Sequence, residues 1–379
     1  MTLSQLRPVY VVGIGWHRYQ PQSETSFVEL GLTAIRAALA DASVEWPTVE
    51  TAYVAHAKLP MAAGRTILRH LGATGISIVH IENASASGSA AFRQAGIEVG
   101  CGLADIALAV GVDKPYPTLL AENETGITNL AEDAIVPFTH FALLANQYMY
   151  RNRVSAEDIA LVAVKNHRNG AMNVHAQRQR ERTLDEILSG KKVSGTFTAL
   201  QCCPVGEGGA AVILASEDGI KRFALDASRS IRVAASAARS QRPYEDDSRY
   251  DTYLTAETTK LALGEAGISP SSIDLVELHD AFTVEELEYV EAMGICREGE
   301  AIHHLKEGGF DIGGRCAINP SGGLIAMGHP IGPTGIGQIA EIALQLRGEA
   351  GARQHRGSKI GLAHMVGLGA VCYVHLLQR

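Results

Sequence analysis

The chain has 379 residues, 46% hydrophobic and 20% charged, and carries a net charge of −8 at pH 7. That is enough apolar mass for about two packed domains, which excludes disorder, while the acidic balance and only 6% aromatic residues argue against a nucleic-acid binder. No apolar run reaches the roughly 18 residues of a membrane span, there is no leader pattern, and the six cysteines form no C-x-x-C pair, so a cytoplasmic protein without a bound metal or permanent cofactor is expected.

Val9–Ile14 reads as a first strand, and strands then alternate with helical patterns, the mark of an α/β fold. Gly13-Ile-Gly15 begins like a dinucleotide-binding turn, but Arg18 stands where the third glycine belongs, and that reading is rejected. Ala34–Val44 is an amphipathic helix closing on Ser43. Thr258–Ile268 repeats it later in the chain and closes on Gly267. The acidic turns Val49-Glu50 and Ile273-Asp274 keep the same offset, as do the strands Ala52–Val54 and Val276–Leu278. A duplication follows, with halves at 1–224 and 225–379.

Ile76–Ile81 reads as a strand that runs into Asn83-Ala-Ser85-Ala-Ser-Gly-Ser-Ala-Ala-Phe92, the start of a helix of small residues. A side chain at such a junction sits at the positive end of the helix dipole beside unpaired N–H groups, which suits a nucleophile and an oxyanion. It is also what an ordinary capped helix start looks like. Asn319-Pro-Ser-Gly-Gly323 is its counterpart in the second half, at a slightly larger offset.

The closing strands Ala210–Ser216 and Ala370–Leu376 lie much closer together than the other repeated elements, so the first half carries an extra stretch, a predicted loop domain over about 115–206. Its cations Arg151, Arg153, Lys165, Arg168, Arg178, Arg180 and Arg182 read as a solvated helical surface or as a cap over a phosphorylated ligand.

Three histidines fall where strands and helices meet. His279 ends a repeat strand, with Asp280 placed to orient it or to cap a helix over Val284–Met293. His329 lies in Gly328-His-Pro-Ile-Gly332, a glycine- and proline-bounded loop with no packing need for an imidazole. His364 precedes the glycine turn Gly367-Leu-Gly369, whose bare N–H groups could face an oxyanion. His364 reads equally well as a buried core histidine.

Taken together, these segments resemble the thiolases. Gly328–Gly332 within Asn319–Gly335 looks like the thiolase signature. Asn83–Ser89, Cys202-Cys203-Pro204-Val205 through Ala211, His279–Thr283 and His364–Gly369 are similar to the sterol-carrier-protein-type and archaeal acetyltransferase-like members, in the same order along nearly the whole chain. The resemblance implies a duplicated five-layer α-β-α-β-α fold with a loop-domain insertion in the first half. It implies a homodimer, an acyl-CoA substrate and a place in lipid metabolism. It assigns a helix-start nucleophile to the position of Ser85, its base to His329, and an oxyanion donor to His279, with His364, Gly367 and Asn319 as auxiliaries. The family uses two cysteines. Here Ser85 occupies the nucleophile position, and the second position holds Ala281 in one arrangement and Met365 in the other.

The expected activity is therefore a thiolase-like acyl-CoA-dependent acyltransferase that makes or breaks a C–C bond, with Ser85 acylated and His329 as its base. One alternative is a non-covalent lyase acting on a CoA thioester by retro-aldol cleavage or decarboxylation. The other is a subunit that works only in a hetero-complex with a small OB-fold, zinc-ribbon partner.

Overall fold

The computed structural model describes residues 2–115, 137–244, 249–367 and 371–379. In the first half, β1 (Val9–Gln20), α1 (Phe27–Ala42), β2 (Thr51–Ala55), α2 (Ala63–Leu68), β3 (Ser77–Ile81), α3 (Ser87–Gly100) and β4 (Ile106–Asp113) are followed by the inserted segment, which holds α4 (Pro137–Asn152), α5 (Ala156–Ala171), α6 (Leu184–Leu188), β5 (Lys192–Ser194) and β6 (Phe197–Thr198). β7 (Glu207–Ser216) and α7 (Glu217–Arg222) complete that half. The second half runs β8 (Ile231–Ser240), α8 (Tyr250–Ala266), β9 (Leu275–Glu277), α9 (Thr283–Ala292), α10 (Ala301–Lys306), β10 (Ala317–Ile318), α11 (Gly323–Ala326), α12 (Ile331–Arg347), β11 (Ile360–Gly367) and β12 (Val371–Gln378).

The sheet order exposes the duplication. β3-β2-β4-β7-β1 is one five-stranded sheet and β10-β9-β11-β12-β8 the other, strand for strand, and they meet where Tyr10 and Val11 of β1 pair with Arg232 and Ile231 of β8. In each half the second strand is parallel to its two neighbours (β2 to β3 and β4, β9 to β10 and β11). The final strand is antiparallel on both sides. The helix ends also match: α1 stops on Ser43 (φ 55) and α8 on Gly267 (φ 66), both left-handed, as the sequence spacing leads one to expect.

α3 and α12 lie between the sheets, with α1 outside the first and α8 outside the second, which makes the five layers α-β-α-β-α. α12 is covered on every side and is accordingly buried from Gly332 to Arg347 apart from Leu344, its polar side chains Thr334, Gln338, Glu341 and Gln345 included. The two central helices start in near contact. A Cβ on Gly88 would stand 2.6 Å from the Gly332 carbonyl oxygen, and one on Gly335 would stand 2.6 Å from the Ser89 nitrogen. Glycine at these positions brings the start of α3 against the start of α12, and the candidate site forms there. Gly13 and Gly15 have an equally local purpose: a Cβ on either would lie 2.4 Å from a carbonyl oxygen of α1, so they seat that helix on β1 rather than bind a nucleotide.

Two sequence expectations change. The segment after Asn319 opens only the single turn α11. The long helix equivalent to α3 starts at Ile331, and the Gly328–Pro330 loop lies between the two. The cations of the insertion divide: Arg153, Arg168 and Arg180 are exposed, as a solvated surface would have it, whereas Lys165 is buried and Arg151, Arg178 and Arg182 are half-buried. Lys165, 3% exposed, pairs with buried Glu286 at 3.0 Å. Arg178 donates to the carbonyls of Ala199, Cys202 and Ile325. Arg151 pairs with Glu288, Arg168 with Asp311, and Arg180 and Arg182 with Glu186. Half of these contacts, those to Glu286, Glu288, Asp311 and Ile325, tie the insertion to the second half.

Candidate active site

Ser85 sits two residues before α3, on a turn forced tight by Ala84, whose φ of 47° is left-handed and rare for a side-chain-bearing residue. The turn closes through its own polar groups: the Asn83 N–H donates to Ser87 Oγ (2.8 Å) and Ser87 Oγ donates to the Ala84 carbonyl (2.6 Å). The Ser85 side chain is left to project from the turn, and its Oγ lies 3.0 Å from His329 Nε2.

The proton positions on this pair follow from a third residue. The Thr334 hydroxyl has one hydrogen, and it is given to the Pro330 carbonyl at 2.6 Å. Thr334 Oγ1, 2.9 Å from His329 Nδ1, must then accept from Nδ1–H. That leaves Nε2 as a lone-pair acceptor facing the Ser85 hydroxyl. Burial, the nearby His279 ring and the Lys58 ammonium all push the His329 imidazolium well below the usual histidine range, so the ring is neutral at pH 7. Ser85, His329 and Thr334 are joined in one hydrogen-bonded line, the arrangement that activation of a hydroxyl requires.

His279 stands edge-on to His329 with ring centroids 5.5 Å apart. Its Nδ1–H donates to Glu285 Oε1 at 2.9 Å, and the other oxygen of Glu285 accepts the Phe282 N–H at 2.8 Å. With Nδ1 occupied, Nε2 is the nitrogen that His279 has free. The orienting carboxylate is Glu285 and not Asp280. Asp280 instead accepts the Leu324 N–H (2.6 Å) and an Asn166 amide hydrogen (2.8 Å), so it caps α11 and anchors the insertion. The helix expected over Val284–Met293 is α9, and Glu285 in its first turn is the residue that sequence reasoning missed.

The remaining candidates divide. Gly367, the last described residue of β11, abuts the Ser85 turn: a Cβ there would meet the Asn83 carbonyl oxygen at 2.5 Å and Ala86 Cβ at 3.2 Å. Gly369, with Leu368 and Ala370, lies outside the described residues. Asn319 is buried and spent on structure. Its Oδ1 accepts the Leu278 N–H and its Nδ2 donates to Glu286, both at 2.9 Å, so it fixes the strand end that carries His279 and supports the site from beneath. His364 is likewise a core residue, with Nε2 2.9 Å from Thr255 Oγ1 and its ring 5.0 Å from that of Tyr289; burial first, and His279 second, keep it neutral. Met365 and Ala281 are both buried.

A cavity of about 150 Å³ opens beside His329, walled by Lys58, Asp113, Cys203, Val205 and Ile331 among others. Asp113 is tied to the backbone N–H groups of Ala57, Lys58 and Gly332, and burial first, partly offset by those bonds, raises its carboxyl to about 6. No cluster of side chains suited to a metal ion occurs among the described residues.

The site can thus activate a hydroxyl for attack on a carbonyl. Comparison with known proteins places the chain in a family. The model of the thiolase N-terminal domain matches residues 17–188, and that of the thiolase C-terminal domain-like family matches residues 236–378. Sterol carrier protein 2 of Gallus gallus is 37% identical, over 98% of this chain and 71% of that protein. Benzoylsuccinyl-CoA thiolase subunit BbsB of Thauera aromatica is 34% identical, over 96% of this chain and 95% of that one. Among solved structures, the Ltp2-ChsH2(DUF35) aldolase matches with a TM-score of 0.79 at 22% identity, covering 98% of this chain and 97% of that one. Human mitochondrial 3-ketoacyl-CoA thiolase in complex with CoA matches at 0.75 and 20%, covering 100% and 99%. By sequence and by fold, this chain belongs to the thiolase family.

Proposed function

We propose that the protein is a CoA-thioester-dependent acyltransferase in which Ser85 Oγ takes up the acyl group, His329 accepts the hydroxyl proton, and His279 Nε2 with the N–H groups at the start of α3 and near Gly367 hold the oxyanion. The observation that carries this reading is the 3.0 Å contact from Ser85 Oγ to a His329 whose tautomer Thr334 fixes. A serine hydroxyl is not ionised near neutrality and needs such a base, whereas a thiol is partly ionised without one. The relatives named for thiolase activity and the CoA complex of the human enzyme support a CoA thioester as substrate, in the cleaving or the condensing direction. In the test, Ser85→Ala is compared with the parent on an acyl-CoA panel. Loss of turnover in the variant supports the reading, and unchanged turnover overturns it.

A second reading is favoured by two of the relatives, one named as a thiolase subunit and one as an aldolase assembled with a DUF35 protein. In this reading the chain acts with a small partner subunit and cleaves a CoA thioester without acylation. Release of a free aldehyde or ketone without uptake of CoA distinguishes it. We also place the protein in the cytoplasm as a homodimer. Among the described residues β3 ends its sheet with one side unpaired, and Val79 is 38% exposed, which suits pairing with a second copy. No helix among the described residues is long and apolar enough to cross a membrane.

A further inference from the structure

C–C cleavage next to a thioester releases an enolate, and something in the cavity must protonate its carbon. Among the groups described above, His329 already holds the Ser85 proton and His279 faces oxygen. Asp113 has both oxygens bound by backbone N–H groups. Ala281 and Met365 carry no proton to give.

The chain brings a thiol to this place from another direction. The segment just before β7 folds back on the β9–α9 turn. The Cys203 N–H donates to the Ala281 carbonyl at 2.8 Å, and Cys202 pairs with Phe282 as an isolated antiparallel bridge. Cys203 therefore lies alongside Ala281, and it lines the same cavity as His329. Cys202 is different: its Sγ donates to the Thr198 carbonyl at 3.3 Å, in the core.

We propose that Cys203, rather than any residue of the His279–Thr283 or His364–Gly369 segments, carries the proton to and from the reacting carbon. The proposal rests on the acyl-transfer reading above and adds the acid to it. In the cleaving direction Ser85 Oγ bonds to the keto carbon and its proton passes to His329. The C–C bond breaks with its electron pair moving to the α-carbon, which takes the proton of Cys203. Incoming CoA loses its thiol proton to water and its sulfur attacks the Ser85 ester, while water returns a proton to the Cys203 thiolate. His329 then returns its proton to Ser85 Oγ. No oxidant or reductant is needed. Burial, and next the Glu285 carboxylate, push the Cys203 thiol upward, so the resting group is the neutral acid that this sequence starts from.

Acetyl-CoA in D2O separates the two claims. Parent protein is expected to form an acetyl ester on Ser85 and to exchange deuterium into the methyl group of acetyl-CoA. Cys203→Ala should still form the ester while its exchange falls about 10²-fold or more, and Cys202→Ala should keep both. Exchange at the parent rate in Cys203→Ala overturns the proposal and leaves the acyl-transfer reading intact. Loss of ester and exchange together in that variant assigns Cys203 a structural part and overturns it too. A parent that forms no ester overturns the reading beneath.

Discussion

At the scale of single residues the account turns on where protons sit. Thr334 accepts from His329 Nδ1–H only because its own hydrogen is committed to Pro330. Thr334→Ala removes that acceptor and frees the ring to adopt the wrong tautomer. It is expected to lower kcat of acylation about tenfold to a hundredfold with KM little changed, while Thr334→Ser restores it; the KM-against-kcat split in steady-state kinetics checks this. The pH dependence has a definite sign. In the proposed reaction His329 is the neutral base, and burial first, then its His279 and Lys58 neighbours, hold its protonation well below the usual histidine range. Acylation is therefore expected to persist as pH is lowered through 6.5 and to fail only at lower pH. A pH–rate profile with its acid limb at or above 6.5 would contradict the assignment.

At the scale of elements, the site exists because α3 and α12 start in contact. Gly88→Ala places a methyl 2.6 Å from the Gly332 carbonyl oxygen, and backbone must move. A loss of about 1–3 kcal/mol in denaturant unfolding is expected, together with loss of turnover, since Ser85 and His329 ride on those two helix starts. The insertion is held by a buried ion pair, so Lys165→Met, which strands Glu286, should cost about 3–5 kcal/mol. Beside the site, Glu277 is fully enclosed at the end of β9, with burial first and the Glu341 carboxylate second pushing it up to about 8. A carboxyl raised above its unfolded value of about 4.5 stabilises the fold below that pH, and the contribution is lost as pH rises toward 8. Glu277→Gln should therefore flatten the fall in Tm between about pH 5 and 8.

These elements also explain what could be seen in advance. The α1 and α8 patterns, their left-handed ends and the strands after them recur at one spacing, because local periodicity and turn chemistry set them. Ser85 and His329 stood out through small residues and glycines that serve close helix starts. Glu285 and Thr334 did not, because their partners are chosen by the folded turn. Nor did the approach of Cys203 to Ala281, since the two are distant in the chain and only the folding of the insertion joins them. Asn319 and His364 looked like site residues because they flank it; their hydrogen bonds put them beneath it.

At the scale of the whole molecule, duplication supplies two helix starts that face each other across a shared layer, and the proposed reaction takes its nucleophile from one and its base from the other. The unpaired edge at β3 predicts a dimer in sedimentation experiments that Val79→Glu dissociates. The central claim is that Ser85 Oγ is the atom that takes the acyl group from CoA. The most direct measurement is peptide mass mapping of parent protein quenched during turnover with an acyl-CoA. The account predicts one acyl ester, on the peptide holding Ser85, absent from Ser85→Ala. An acyl group found on another residue, or none during active turnover, would contradict it.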